Sequence, residues 1–225
     1  VTETVAGDLR LIGTNTSGGG SFGTVKITGE AVLLSDTSCR KFGCTGTLQV
    51  KGSMRADEFR LTGECKVEGD FRAGRLRTIG QLEVAGSVRG GELKVTGEMR
   101  MGAAGCEVDR LTVSGIVRTE GLISADSVDI RLYGPARAGE IGGGSITVRR
   151  ARIASLKHLF QPQHAAGELD AGTIEGDVVH LEYTRAAVVR GNRVTIGPGC
   201  DIGRVEYSES FSRSAKSAVR EEARV

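Results

Sequence analysis

The chain has 225 residues, with 30 Lys and Arg against 28 Asp and Glu, five Cys, three His, no Trp and 34 Gly. A formal net charge of +2 offers no global basic field for DNA or RNA, and no apolar run approaches the ~20 residues of a membrane-spanning helix. The opening VTETVAGDLR lacks the basic and apolar stretches of a secretory signal, so the expected location is cytoplasmic, the inner face of the cell membrane included.

Residues 1–150 read as the main domain. Its first strand-like pair is Leu9 and Leu11, and nothing in residues 1–8 reads as a capping helix. From Gly29 a seventeen-residue period sets in: Gly29, Gly46, Gly63, Gly80 and Gly97 form one series, and Gly52, Gly69 and Gly86 a second, six residues behind. A fixed period of this length is the signature of stacked repeats. Four residues before the first series stand Val25, Phe42, Phe59, Leu76 and Leu93, and two before stand Ile27, Cys44, Leu61, Thr78 and Val95. Two and four after come Ala31/Leu33, Leu48/Val50, Cys65/Val67, Leu82/Val84 and Met99/Met101, and a third side offers Met54, Phe71 and Val88. This is period-two alternation on three short sides per coil, so residues 24–105 are predicted to coil as a triangular parallel β-helix with glycine at the corners.

Like charges stacked on adjacent coils would repel, and two columns avoid this: Glu30, Thr47, Glu64, Gln81, Glu98, and Asp36, Ser53, Asp70, Ser87. The alternation suggests a duplicated unit of 34 residues. Arg55, Arg72 and Arg89 form a column with no such alternation, and Arg60, Arg77 and Lys94 form another. Both are candidate polyanion-binding stripes, Arg55, Arg72 and Arg89 foremost, with a solvated face as the structural alternative.

After Gly97 the period drifts, with corners expected at Gly115 and Gly134 behind Leu111/Val113 and Ile130/Leu132, then a strand with Ile146 and Val148. Residues 151–172 break the pattern. Ile153, Leu156, Leu159 and Phe160 sit at helical spacing before Pro162, which predicts a short helical or irregular insertion touching the β-helix wall, a partner or a membrane surface. In 173–207 the β pattern returns, with inward pairs at Val179/Leu181, Val194/Ile196 and Ile202/Val205. The polar stretch 208–225 is expected to be a disordered tail.

Cys44 and Cys65 fall on inward columns and read as small core hydrophobes. No Cys/His pair has zinc spacing, and the three histidines, His158, His164 and His180, have no identifiable acid partner. No catalytic, cofactor-binding or metal residues are expected. IGPGCDIG at 196–203 resembles the isoleucine-glycine hexapeptide of β-helix acyltransferases, but three hexapeptides make eighteen residues, against the seventeen seen here.

The glycine-cornered coils, with the closing words IEGDVVHLEYTRAAVVRGNRVTIGPGCDIG, resemble the bactofilin family of polymer-forming bacterial cytoskeletal proteins, in the longer version of Gram-positive bacilli. The resemblance covers most of residues 5–207. It implies a right-handed parallel β-helix that polymerises end to end without nucleotide, as a scaffold in cell shape, envelope organisation or motility. Homo-oligomers or filaments and membrane- or envelope-associated partners would follow, without nucleic acid. Uncapped terminal coils point the same way, because their free N–H and C=O rows are templates for another chain. The candidate interface is Leu9 and Leu11 at one end and Ile196, Ile202, Val205 and Tyr207 at the other. The alternatives are a β-helix module binding envelope polymers, and an acyltransferase.

Overall fold

In the computed structural model, which describes residues 7–151 and 167–225, the protein is an all-β solenoid of parallel strands in chain order. The strands are β1 (Leu9–Ser17), β2 (Gly20–Leu33), β3 (Thr37–Val50), β4 (Met54–Val67), β5 (Phe71–Val84), β6 (Val88–Met101), β7 (Cys106–Arg118), β8 (Leu122–Leu132), β9 (Ala136–Arg150), β10 (Leu169–Leu181), β11 (Thr184–Ile196), β12 (Asp201–Arg213) and β13 (Ala218–Arg224). No helix occurs among the described residues. Two compact units divide the chain, Val1–Arg110 and Leu111–Val225, so the boundary falls well before the expected one at 150.

In the first unit β2 to β6 are each 14 residues long and pair in the seventeen-residue register that the glycines predict. Each is one bent strand whose ladder runs through the glycine corner, where the sequence suggested separate short strands. In β4 the buried residues come in three pairs, Met54/Ala56, Phe59/Leu61 and Cys65/Val67, one pair per side of the coil. The predicted columns are all present: Phe42, Phe59, Leu76 and Leu93 lie in register, as do Leu48, Cys65, Leu82 and Met99. Phe42 and Phe59 stack at 4.8 Å and 7°, and Phe71 meets Phe59 edge-on at 5.1 Å. The small inward residues Ala56 and Ala73 leave room for this ring cluster, and the sequence pattern alone had not marked them as core.

The two glycine series serve one fold for different reasons. Gly63 has φ 127°, and a Cβ there would be driven onto the carbonyl oxygen of Gly46 one coil back. Gly69 has no left-handed φ, but its Cβ would stand 2.8 Å from the backbone of Gly52 and Ser53. Beside this second corner the Asp/Ser column does more than avoid repulsion. The Asp36 carboxylate accepts from the Ser53 amide at 2.7 Å, the Ser53 hydroxyl from the Asp70 amide at 3.2 Å, and Asp70 from the Ser87 amide and hydroxyl at 2.8 and 2.9 Å. Each side chain thus satisfies the turn amide of the following coil, a group the ladder itself leaves over.

In the second unit the coil length varies. β9 follows β8 at a spacing of 18 residues (Leu122 opposite Glu140), whereas β11 follows β10 at 15 (Leu169 opposite Thr184). Between β9 and β10 the register passes directly from Ala136 to Leu169, with Arg150 ending one strand and Leu169 starting the next. The expected insertion at 151–172 is therefore narrower at its C-terminal end, since residues 169–172 already pair within β10. Residues 152–166, which carry the predicted helical pattern, lie outside the described residues.

The expected tail 208–225 is instead the outermost coil. β12 continues to Arg213 and β13 pairs with it in parallel from Asp201/Ala218 to Tyr207/Arg224. Backbone pairing, the Arg204–Glu221 and Arg220–Asp201 ion pairs at 3.6 and 3.4 Å, and the Ser208–Asn192 hydrogen bond at 3.0 Å hold the segment in place of apolar burial.

Candidate functional site

The outer coils supply the first candidate surface. β1 pairs through Leu9/Val25 and Leu11/Ile27, which leaves its other edge without a strand among the described residues. Leu9 and Leu11 continue the core columns and are part-exposed, with Asn15 and Ser17 at the remaining inward registers. At this edge the apolar interior reaches the surface.

The other proposed end is different. Ile196, Ile202 and Val205 are fully buried, because β12 and β13 lie over them: Arg213 covers Ile196, Val219 covers Ile202 and Glu222 covers Val205. They belong to the core and cannot form an outer face. Tyr207 is part-exposed, stacks on Phe211 at 5.4 Å and pairs with Arg224. The outermost strand β13 carries Arg220, Glu221, Glu222 and Arg224, the kind of charge that blunts an edge against pairing. The sequence placed the boundary of the solenoid one coil too early because only apolar residues were counted as coil.

Arg55, Arg72 and Arg89 do stand in register on consecutive coils and are exposed. They run beside the Asp36–Ser53–Asp70–Ser87 line, and Arg89 lies 3.5 Å from Glu107. Hydrogen bonds from Ser87, amide first, together with the charge of Arg89, hold the Asp70 carboxyl below its usual range. This stripe therefore spends part of its charge on its own protein.

A second basic column is cleaner and longer than the sequence suggested. The ladders place Arg10, Lys26, Gly43, Arg60, Arg77 and Lys94 in one file, so every coil from β1 to β6 contributes a cation except that of Gly43. Lys26 was missed because Gly43 interrupts the file, and Arg10 because the step from β1 to β2 is sixteen residues and not seventeen. On one flank runs a file of β-branched residues, Ile12, Thr28, Thr45, Thr62, Ile79 and Thr96. On the other, Lys41, Glu58, Arg75 and Glu92 alternate in sign.

In the second unit a shallow trough over Gly143, Gly176 and Gly191 is lined by Glu140, Glu175, Asp177, Arg190 and Glu206. Arg190 sits between Glu206 at 2.6 Å and Glu175 at 3.7 Å, and its hydrogen bond pulls the Glu206 carboxyl below the usual range. Arg190 is taken up by these two carboxylates, and the trough keeps an acidic excess with no metal-ligand cluster among its described residues. His180 is 3.8 Å from Glu182 on the solenoid wall, and His158 and His164 lie outside the described residues. Among the described residues no three His, Cys, Asp or Glu gather as metal ligands. All five thiols are free; burial pushes Cys44 up to about 11 and Cys106 up to about 12, so neither is a ready nucleophile. No described helix is long and apolar enough to cross a membrane.

Over 107 residues, 47% of this chain and 42% of the relative, the sequence is 41% identical to uncharacterized protein YhbF of Bacillus subtilis (strain 168). Over 105 residues, 45% and 42%, it is 40% identical to uncharacterized protein YhbE of the same strain. The chain thus spans less than half the length of the curated relatives it matches. No protein-family model and no solved structure matches it.

Proposed function

We propose that the protein is a non-enzymatic scaffold that self-assembles through its terminal coils without nucleotide, as the resemblance to bactofilins implies, and serves cell shape, envelope organisation or motility. The observation that carries this reading is the β1 edge, where a backbone row without a strand partner among the described residues coincides with part-exposed Leu9 and Leu11. Stacking a further coil there would extend the backbone ladder and remove the apolar end of the core from water in one step. Negative-stain electron microscopy of purified protein, with and without ATP or GTP, tests the proposal. Filaments or rods in both conditions are expected, and separate particles of monomer size at every concentration would refute it.

A further inference from the structure

In most charged columns of the first unit, Arg55–Arg72–Arg89 excepted, in-register charge is patterned to avoid like neighbours. Glu30, Glu64 and Glu98 are separated by Thr47 and Gln81, Asp36 and Asp70 by Ser53, and Lys41, Glu58, Arg75 and Glu92 alternate. Lys66 meets Glu83 at 2.7 Å and Lys51 meets Glu68 at 2.6 Å on successive coils. Against that background the file Arg10, Lys26, Arg60, Arg77, Lys94 breaks the rule over the length of β1 to β6. Stacked at about 4.8 Å per coil, these cations repel. Among the described residues, only Arg60 of this file has an ion pair, with Glu58 at 3.9 Å, and its side chain remains 74% exposed. The Arg55–Arg72–Arg89 file breaks the same rule, but it runs beside Asp36 and Asp70 and pairs with Glu107, whereas the longer file has a single partner; a ligand that neutralises the column supplies the missing charge.

We infer that this column is a binding track for a linear phosphate polymer lacking aromatic bases, laid along the stacking direction of the coils. The track is one cation wide, which suits a single chain of anionic groups. The flanking threonines offer hydroxyls to phosphate oxygens or to polymer hydroxyls. The described columns of this face, from Asp8 and Arg10 to Thr96, carry no aromatic side chain on which a base could stack. Apolar exposure is limited to Ile12 and Ile79, five and one coils from Thr96, too sparse for insertion into a lipid surface. This inference is independent of self-assembly, because the track lies on the sides of the coils and not at their edges.

The test is binding of the full chain to long-chain inorganic polyphosphate, measured by titration across a salt series. The double variant Arg60→Gln/Arg77→Gln should weaken binding about tenfold or more at low salt and lower the slope of log affinity against log salt by about one per cation removed. The control Lys51→Gln/Lys66→Gln removes the same charge from side chains in other columns, already paired with Glu68 and Glu83, and should bind as wild type. Equal loss in both variants, or no binding by wild type, overturns the proposal. Tighter column-dependent binding to anionic phospholipid vesicles or to a single-stranded oligonucleotide overturns the choice of partner.

Discussion

Thr78 occupies an inward column between Leu61 and Val95, is buried, and its hydroxyl has no hydrogen-bond partner. An unsatisfied buried hydroxyl costs about 1 kcal/mol or more, so Thr78→Val should raise stability by about that amount in a denaturant titration. The glycines give a paired comparison. Gly63→Ala must accept a left-handed φ and displace the Gly46 carbonyl, and should cost about 1–3 kcal/mol, whereas Gly43→Ala enters open space and should change stability by about 1 kcal/mol or less. Equal melting temperatures would show that the corner spacing is not structural. Asp70 adds a pH dependence. Because its carboxyl is depressed in the fold, its stabilisation is complete above the ordinary carboxylate pKa and is lost as pH falls through the lowered value. Asp70→Ala should therefore flatten the loss of thermal stability on acidification below about pH 4. At this scale the glycine period was fully legible in the sequence, but the partner of each Asp and Ser was not, since a turn amide leaves no trace in a side-chain pattern.

At the scale of one coil, the strands persist because six inward positions recur per turn and small residues alternate with rings. Leu82→Asp would place an unpaired charge between Cys65 and Met99 and should unfold the first unit, at a cost of several kcal/mol. The outermost coil makes the opposite case. Its polar sequence reads as tail, yet β12 and β13 cover Ile196, Ile202 and Val205, so limited proteolysis should leave residues 208–225 intact, and a chain ending at 207 should melt earlier by exposing those side chains. Rapid trimming at Arg213 or Lys216 would argue against a paired terminal coil. The late coils were read from their inward pairs at Val179/Leu181, Val194/Ile196 and Ile202/Val205, but their period shortens to 15 between Gly176 and Gly191, and a ruler of seventeen steps past Ala171, Ile174, Ala186 and Val189, all of them core.

For the whole molecule, parallel stacking satisfies a strand on both edges, and among the described residues β1 and β13, each paired on one edge, differ in what the other edge carries. β13 is charged, while β1 presents Leu9 and Leu11. The candidate surfaces were half legible: the leucine pair and the in-register cations follow from the repeat, whereas the far edge was misplaced because burial by polar coils carries no hydropathy signal. Self-assembly through the β1 coil is tested most directly by sedimentation velocity over a concentration series in near-physiological salt, comparing wild type with Leu11→Arg. The expected result is nucleotide-independent growth of large species for wild type, and a monomer with unchanged β-type circular dichroism for the variant, because a desolvated charge would enter every junction. A wild-type protein that sediments as a monomer throughout, or a variant that assembles equally well, would contradict the account.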